Sequence, residues 1–294
     1  MATSQPIKDK IKELKAEYDR LKIGKESLLK LIQEAEIPEM VYNSNAIENS
    51  TLTLKETEKI LLEMDVSRDV SLREVFEAKN LARVIEYMRT KSQQEEISAK
   101  MILLLHQMLI GNIDDSIAGR FRAKGEYVRV GTHIAPAPEH IELAIENILL
   151  EYTSEHDKYF TDKIAKFHLD FETLHPFNDG NGRIGRVIIN YQLQRLGFPC
   201  IIIRDKEKQG YYKGFQEYRD DKKTKIMERI IYLALLESLH KRIAYLKGDS
   251  IIPVTEYAQK IRKLVPTVLN AAKRQTIPAF REKGVWKIGI SAIL

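Results

Sequence analysis

The sequence predicts an all-α protein with one β-hairpin and a small C-terminal domain of the helix-turn-helix or winged-helix type. Apolar residues recur at helical spacing over most of the chain. Residues 119–136 instead alternate apolar and polar side chains around Gly125 and Gly131, which indicates a hairpin. After Gly248 the pattern becomes a basic helix, a turn, a second helix and two short strands.

Composition limits the class of protein. The chain has 294 residues, of which 44% are hydrophobic and 30% charged, and no apolar run is long enough for a transmembrane helix. The N-terminus lacks the apolar segment of a secretory signal. Cys200 is the single cysteine, so we expect no disulfide and a reducing compartment. The sequence therefore predicts a cytoplasmic protein without a membrane partner.

The charge distribution predicts a separate C-terminal module. From Asp249 onward there are eight lysines and arginines against three acidic residues, which accounts for the whole net charge of +5. This shift, together with Pro253, predicts a domain boundary near 247–252. We expect an N-terminal helical region at 1–110, a helical core at 111–247 and a basic domain at 248–294.

Helical periodicity is interrupted at a few recognisable positions. Pro38 predicts that the first helix stops before Ile37. Thr53 and Glu56 form a capping-box pattern, and 199–205 resembles a short strand. The predicted helices are 6–36, 53–64, 72–91, 97–110, 138–154, 161–174, 185–196 and 223–246.

The string HPFNDGNGRIGR at 175–186 contains residue types suited to phosphate chemistry. Its two glycines allow a tight turn whose N–H groups can approach a ligand. The turn leads into a helical pattern, and a helix N-terminus favours anions. Arg183 and Arg186 lie three residues apart on one face of that helix, where an anionic ligand would offset their charges.

Two further residues of the string have side chains suited to catalysis. Asp179 is a hard oxygen ligand suited to Mg²⁺, and His175 has a side chain that can act as a general base near neutral pH. Each part alone is more often structural or solvated, so the prediction rests on their contiguity. Together they indicate a phosphoryl-transfer site.

Two other nucleotide-binding patterns do not fit the sequence. Residues 180–185 spell G-x-G-x-x-G, and Asp205 follows about 20 residues later, as in a dinucleotide-binding fold. However, a helical segment ending in His-Pro precedes the glycines where that fold requires a strand. A Walker A loop also fails, because no Gly-Lys-Ser/Thr follows.

The complete string resembles the motif H-x-F-x-[D/E]-G-N-G-R-x-x-R of the Fic family, with supporting context over about 40–220. The resemblance implies a Fic-type helical bundle with a β-hairpin flap. It also implies transfer of AMP from Mg-ATP to a hydroxyl side chain of a target protein, which is bound as an added strand at the flap.

The resemblance also implies individual roles. His175 would deprotonate the target hydroxyl and Asp179 would hold Mg²⁺, while Phe177 would anchor the loop and His168 would be a packed structural residue. Arg219 stands where some relatives have asparagine near the adenine. The residues implied to bind ATP are Val128, Arg129, Val130, Gly131, Asp179, Gly180, Asn181, Gly182, Arg183, Ile184, Gly185, Arg186, Tyr211 and Tyr212.

Residues 44–49, SNAIEN, resemble the inhibitory helix of the same family, here within about 40–50. Ser44 and Glu48 would share a helix face, with Asn49 completing the motif. A carboxylate from Glu48 that pairs with Arg186 would compete with the γ-phosphate and hold activity low.

The C-terminal segment 252–290 resembles an excisionase-like or winged helix-turn-helix. The residues from Thr267 to Arg274 would form the recognition helix of a DNA-binding domain. Basic side chains expected near phosphates are Lys273, Arg274, Arg281 and Lys283. A small protein-binding or dimerising module fits the same pattern.

Several functional alternatives stay open at this stage. The chain could transfer another nucleotide group, remove AMP from a modified protein, or act as a nucleotide-sensing DNA-binding regulator. An intact His175 with both motif arginines favours chemistry over sensing. The sequence leaves open the target protein and whether the chain forms a homo-oligomer.

Overall fold

The computed structural model describes residues 3–66 and 69–290 and confirms the mainly helical class. No helix among these residues is long and apolar enough to cross a bilayer. The helices are α1 (Gln5–Leu21), α2 (Glu26–Ile47), α3 (Leu54–Glu58), α4 (Leu72–Lys91), α5 (Ala99–Ile110), α6 (Ile141–Ser154), α7 (Phe160–Leu174), α8 (Asn181–Arg195), α9 (Lys208–Asp221), α10 (Lys225–Lys247), α11 (Val254–Lys260) and α12 (Val265–Lys273). The strands are β1 (Arg129–Val130), β2 (His133–Ile134), β3 (Ile251–Pro253), β4 (Ala279–Glu282) and β5 (Val285–Gly289).

The chain divides into two units, the first formed by 37–198 and 203–230 with Thr3. Its central element is α8, whose own residues are nearly all buried, among them the apolar Ile184, Ile188 and Leu193. The string 175–186 joins the end of α7 to the first turns of α8. The fold thus places this string on the two most buried helices of the unit.

The predicted hairpin is present but short. β1 and β2 pair antiparallel, with Arg129 opposite Ile134 and Val130 opposite His133. Gly131 has a φ of +61° at the turn, a conformation that favours glycine. The rest of 119–136 forms turns and irregular backbone rather than longer strands.

The second unit comprises 4–36, 199–202 and 231–290. At its C-terminal end, α11 and α12 pack on an antiparallel sheet with strand order β3-β5-β4. The helices and the two last strands agree with the winged-helix prediction, whereas β3 was not predicted. A small core of its own supports this module and contains Val254, Ala258, Val268, Ala272 and Ile288.

The first two helices differ from the prediction. The break expected before Pro38 occurs instead at 22–25, where Gly24 has a φ of +72°. Pro38 lies inside α2. An internal proline costs about 3 kcal/mol, and burial of Met40, Val41 and Ile47 on the same helix opposes that cost.

Three other points differ from the prediction. Among the described residues no strand pairs with 199–205, which run as irregular backbone up to Arg204 and enter a 3-10 helical turn at Asp205. Helix α9 was not predicted. Helix α8 begins at Asn181 rather than 185, because Gly180, with a φ of +82°, turns the chain directly into the helix. The capping box of Thr53 and Glu56 is confirmed, although α3 continues as a π-helical turn.

A buried ionic cluster in the second unit gives a stability prediction. Arg242 is fully buried, and its Nη2 lies 2.5 Å from Oε2 of Glu36, which also pairs with Lys241 at 3.0 Å. We expect Glu36→Gln to destabilise the protein by about 3–5 kcal/mol, because it leaves a buried guanidinium without its carboxylate. Thermal and urea unfolding would measure this. The exposed Glu34→Gln is the control, with a change of at most about 0.5 kcal/mol.

Candidate active site

The loop between α7 and α8 is anchored by a buried aromatic stack. Phe177 is fully buried, as predicted, and its ring lies 3.7 Å from that of His106 at an interplanar angle of 4°. The N–H of Gly119 donates to Nδ1 of His106, so the proton is on Nε2, which donates to the carbonyl of Asp179 at 3.0 Å. His106 therefore ties α5 to the backbone of the metal-ligand candidate.

Asn181 closes the loop on itself. Its Oδ1 accepts from the N–H of Phe177 at 2.9 Å, and its Nδ2 donates to the carbonyl of the same residue at 2.8 Å. Gly180 leaves space for the apolar side chains of α5, since a Cβ there would lie 3.0 Å from Leu109. The loop shape is thus set by core contacts as well as by its glycines.

His175 has the protonation state that a general base needs. Burial lowers the pKa of its imidazole to about 4, so the ring is neutral at pH 7. The residue ends α7 in a left-handed conformation, with a φ of +50°. Arg122 is buried and donates from Nε to the carbonyl of His175 at 2.8 Å, and from Nη2 to that of Pro136 at 2.9 Å. It therefore links the base of the hairpin to the candidate catalytic residue.

Asp179 and Arg183 are paired with each other and with α4. Nη2 of Arg183 lies 2.8 Å from Oδ1 of Asp179, and Nη2 of Arg73 lies 2.6 Å from its Oδ2. Oε1 of Glu77 lies 3.1 Å from Nε of Arg73 and 3.3 Å from Nη1 of Arg183. Burial opposes ionisation of Asp179, but the guanidinium groups of Arg183 and Arg73 hold its pKa below the ordinary value.

Arg186 contacts the predicted inhibitory segment. Its Nη2 lies 2.9 Å from Oε1 of Glu48, and Nε donates to the hydroxyl of Ser44 at 2.9 Å. Nη2 also donates to the carbonyl of Ser44 at 2.8 Å. A Cβ atom at Gly182 would overlap the Glu48 carboxylate, so only glycine fits there while the pair is formed. The structure thus brings together Glu48 and Arg186, the two residues that the sequence predicted to pair.

The end of α2 is held by side chains from α9. The hydroxyl of Tyr212 donates to the carbonyl of Ile47 at 3.0 Å, and Nζ of Lys208 donates to Oδ1 of Asn49 at 2.8 Å. Asn49 itself has a φ of +70°. The adenine contact of Tyr212 stays a prediction, since here its hydroxyl caps the end of α2.

Tyr211 is fully enclosed beside Arg186. Its hydroxyl lies 2.6 Å from Nε2 of His168 and accepts from Nη1 of Arg186 at 3.4 Å. His168 is buried, as expected for a structural residue. Tyr211 therefore belongs to the packing around the guanidinium, and its predicted role toward adenine is untested.

A second carboxyl lies near Arg186. The Oε1 atom of Glu172 is buried without a hydrogen-bond partner in the described part of the chain. Burial, together with the charge of Glu48, raises the pKa of Glu172 to about 8, although Arg186 opposes the shift. A Cβ atom at Gly185 would lie 2.5 Å from this oxygen, which explains the glycine. Glu172 is therefore protonated at neutral pH.

The predicted flap residues lie on and beside the hairpin. Arg129 and Val130 form β1, and Gly131 forms the turn. The carbonyl of Val128 accepts from the N–H of Ala135 at 3.1 Å. His133 on β2 lies 2.9 Å from the carbonyl of Thr173 on α7 through its Nε2. The hairpin is thus tied to the helix that ends in His175.

Sequence reasoning missed five residues of this site: Arg73, Glu77, His106, Arg122 and Glu172. All five lie near the loop only because the chain folds, either through contacts distant in sequence or on the face of a neighbouring helix. A local sequence motif does not contain this information. A weak signal exists for two of them, because Arg73 and Glu77 have the i,i+4 spacing of a helix ion pair.

Comparisons with known proteins identify the family of the segment that carries the loop. The model of the Fic/DOC family matches residues 96–193, which include α7, the loop and most of α8. The chain carries a Fic domain. Among its relatives, the protein adenylyltransferase Fic of Nematostella vectensis is 31% identical over 214 residues, which is 71% of this chain and 49% of that protein. That of Drosophila melanogaster is 29% identical over 83% of this chain and 50% of its own length.

Solved structures show the same fold. A Fic-domain-containing signaling protein from Bacteroides thetaiotaomicron has a TM-score of 0.73 at 25% identity, covering 82% of this chain and 98% of that one. Fic-1 from C. elegans has a TM-score of 0.69 at 24% identity, covering 82% of this chain and 73% of that one, a likeness in fold. The chain spans about half the length of the curated relatives it matches.

The buried imidazoles of the Fic domain predict a specific acid response. Burial lowers the pKa of His106 to about 4, so the unfolded chain takes up a proton before the folded one does. Stability is then complete above about pH 6.5 and falls as the pH drops toward 4, by about 2 kcal/mol for His106 at pH 5. Nitrogen NMR titration would show His106 and His175 protonating near pH 4. A midpoint near the ordinary value for either would contradict the burial argument, and His106→Phe provides the assignment.

Proposed function

We propose that this protein transfers AMP from ATP to a hydroxyl side chain of a target protein and that Glu48 inhibits the transfer. The observation that carries the proposal is the joint geometry of the Fic loop: a neutral His175, an ionised Asp179, and Arg186 paired with Glu48. The relatives named protein adenylyltransferase support it.

The first turns of α8 are suited to bind the triphosphate. Gly180 and Gly182 leave the backbone open, and the helix N-terminus is electropositive. Arg183 and Arg186 both lie in these turns, each already holding an anionic carboxylate. Replacement of Glu48 by a γ-phosphate would keep the guanidinium of Arg186 paired, which a buried cation requires.

The residues present fit Mg²⁺ bound together with nucleotide. Among the described residues no cluster of three potential ligands occurs, so the protein would supply one carboxylate, that of Asp179, and phosphate oxygens the other ligands. Mg²⁺ in nucleotide sites is commonly held in this way. When bound, the ion would neutralise charge that develops on the phosphates.

His175 would take the proton of the target hydroxyl. The hydroxyl oxygen forms a bond to the α-phosphorus, the bond from that phosphorus to the bridging oxygen breaks, and pyrophosphate leaves. The neutral imidazole accepts the released proton. Arg122 donates to the carbonyl of His175, and His133 connects the hairpin to α7. Both contacts would keep the general base and the flap in fixed positions relative to each other.

A single substitution tests this function. Glu48→Gly should raise the transfer of labelled AMP from ATP by at least about tenfold, because it frees Arg186 and the space over Gly182. Incubation with labelled ATP, GTP, CTP or UTP and Mg²⁺ would measure incorporation into the protein itself. Glu48→Gly combined with His175→Ala is the matched control and should show no label.

Each other outcome of that experiment favours a different function. Label from UTP alone would indicate transfer of another nucleotide group. Loss of label from a pre-modified protein, dependent on Glu48, would indicate AMP removal. No label from any nucleotide would contradict the proposal and favour a nucleotide-sensing regulator.

A second candidate function, DNA binding, is supported by the exposed face of α12. Thr267, Asn270 and Arg274 are exposed and share one side of this helix, with Lys273 beside them. Asparagine can pair with adenine in the major groove. The guanidinium of Arg281 pairs with Glu237 at 2.6 Å and lies 4.7 Å from the ring of Trp286. Its phosphate contact stays a prediction.

Duplex DNA binding by the full chain tests the second candidate. Fluorescence anisotropy should show an affinity that falls with salt, and joint replacement of Lys273 and Arg274 by glutamine should lower the salt slope by roughly two phosphate contacts. Lys30→Gln, exposed on α2, is the control. Absence of binding at low salt would favour a protein-binding or dimerising module. Light scattering would detect the dimerising alternative as a homo-oligomer.

A cytoplasmic location is also part of the proposal. Its support is the composition: Cys200 is the single cysteine of the chain, and it is buried. A single cysteine cannot form an intrachain disulfide, so the stability of this chain does not depend on an oxidising compartment.

A further inference from the structure

Asp179, the candidate metal ligand, is paired with Arg73, a residue outside the Fic motif. Asp179 and Arg183 of the loop form a closed ring of ion pairs with Arg73 and Glu77 of α4. Each guanidinium contacts both carboxylates, so the ring is electrically balanced while no ligand is bound. A divalent cation at Asp179 would upset this balance, because it would compete with the guanidinium groups for the carboxylate.

The four members of the ring differ in how easily they can move. The Arg183 side chain is 4% exposed and that of Glu77 13%, whereas that of Arg73 is 59% exposed. An exposed ion pair contributes little, while a buried one is costly to break. Arg73 is therefore the member that can leave without exposing a buried charge.

The start of α4 is held in place independently of Arg73. The side chain of Ser71 caps the helix, and Oε1 of Glu74 accepts from the N–H of Thr51 at 2.7 Å and from the hydroxyl of Ser50 at 3.1 Å. Movement of Arg73 then needs only new side-chain rotamers. Its cation also lies in the first turn of α4, where the helix dipole disfavours a positive charge that has no anionic partner.

We propose that Arg73 and Glu77 are positioning residues of the nucleotide–metal site. Arg73 neutralises Asp179 until a divalent cation takes the carboxylate, and then turns to the bound triphosphate, which keeps a net negative charge. Glu77 holds Arg183 in place in both states. This inference rests on the proposed function only in its ligand, a nucleotide with a divalent cation, and not on transfer of AMP.

Binding measurements test the exchange without any turnover. In the Glu48→Gly protein, binding of a fluorescent non-hydrolysable ATP analogue is followed while Mg²⁺ is added. Arg73→Gln should lower the Mg²⁺ concentration for half-maximal binding roughly two- to fivefold, the size expected for loss of one exposed competing ion pair. In EDTA the same variant should bind the analogue more weakly than its parent, because one cation near the phosphates is lost.

One control variant and one further test variant lie on the same helix. Arg83 is an exposed arginine of α4, and Arg83→Gln should change neither quantity. Glu77→Gln should weaken analogue binding through Arg183 and leave the Mg²⁺ midpoint unchanged. Thermal unfolding within a few degrees of the parent would show that each variant is folded.

The outcomes separate this inference from the proposed function. An unchanged Mg²⁺ midpoint in Arg73→Gln overturns the inference, even where labelled AMP is transferred. A lowered midpoint without any transfer supports the inference and contradicts the proposed function. Failure of the analogue to bind to any variant overturns both.

Discussion

The guanidinium group of Arg186 has almost no contact with solvent, and a buried cation must have an anionic partner. This requirement organises the surrounding elements. The end of α2 supplies Glu48 and Ser44, α9 supplies the hydroxyl of Tyr211, and Gly182 leaves room for the carboxylate. The site can therefore exchange one anion for another, but an open state with no anion at all would be costly.

The loop that carries the site is rigid for reasons that have little to do with phosphate. Phe177 and His106 stack in the core, and Asn181 returns two hydrogen bonds to Phe177. Left-handed backbone at His175 and Gly180 marks the two ends of the loop. Apolar packing thus fixes the loop backbone before any ligand binds, so the polar side chains project from a preorganised site.

The parts of the fold that were predictable from sequence are those recorded by neighbouring residues. The loop motif, the capping box of Thr53 and the helix-turn-helix pattern are local, so their residue types identify them. Pro38 misled the prediction because tertiary packing outweighs a local preference for ending the helix. The contact of Asp179 with Arg73 on α4 could not be predicted, because residues 106 positions apart leave no shared pattern.

The segment 199–205 illustrates the opposite failure. Its apolar, β-branched composition is typical of a strand, but in the described part of the chain no strand pairs with it, and its backbone is irregular up to Arg204. Tyr212 shows a related limit for function. An aromatic residue near a nucleotide site suggests stacking, whereas its hydroxyl is used here to cap the carbonyl of Ile47. Residue type alone does not reveal which neighbour takes the hydrogen bond.

Because Glu48 belongs to the same chain as Arg186, the pair forms within one molecule. The two residues lie 138 positions apart in sequence, so the fold and not a short linker holds them together. Dilution of the protein therefore does not weaken the pair. Under the proposed function, the apparent affinity for nucleotide would be the intrinsic affinity multiplied by the fraction of chains in which Glu48 has left Arg186. The nucleotide concentration needed to fill the site would then be the same at any amount of protein.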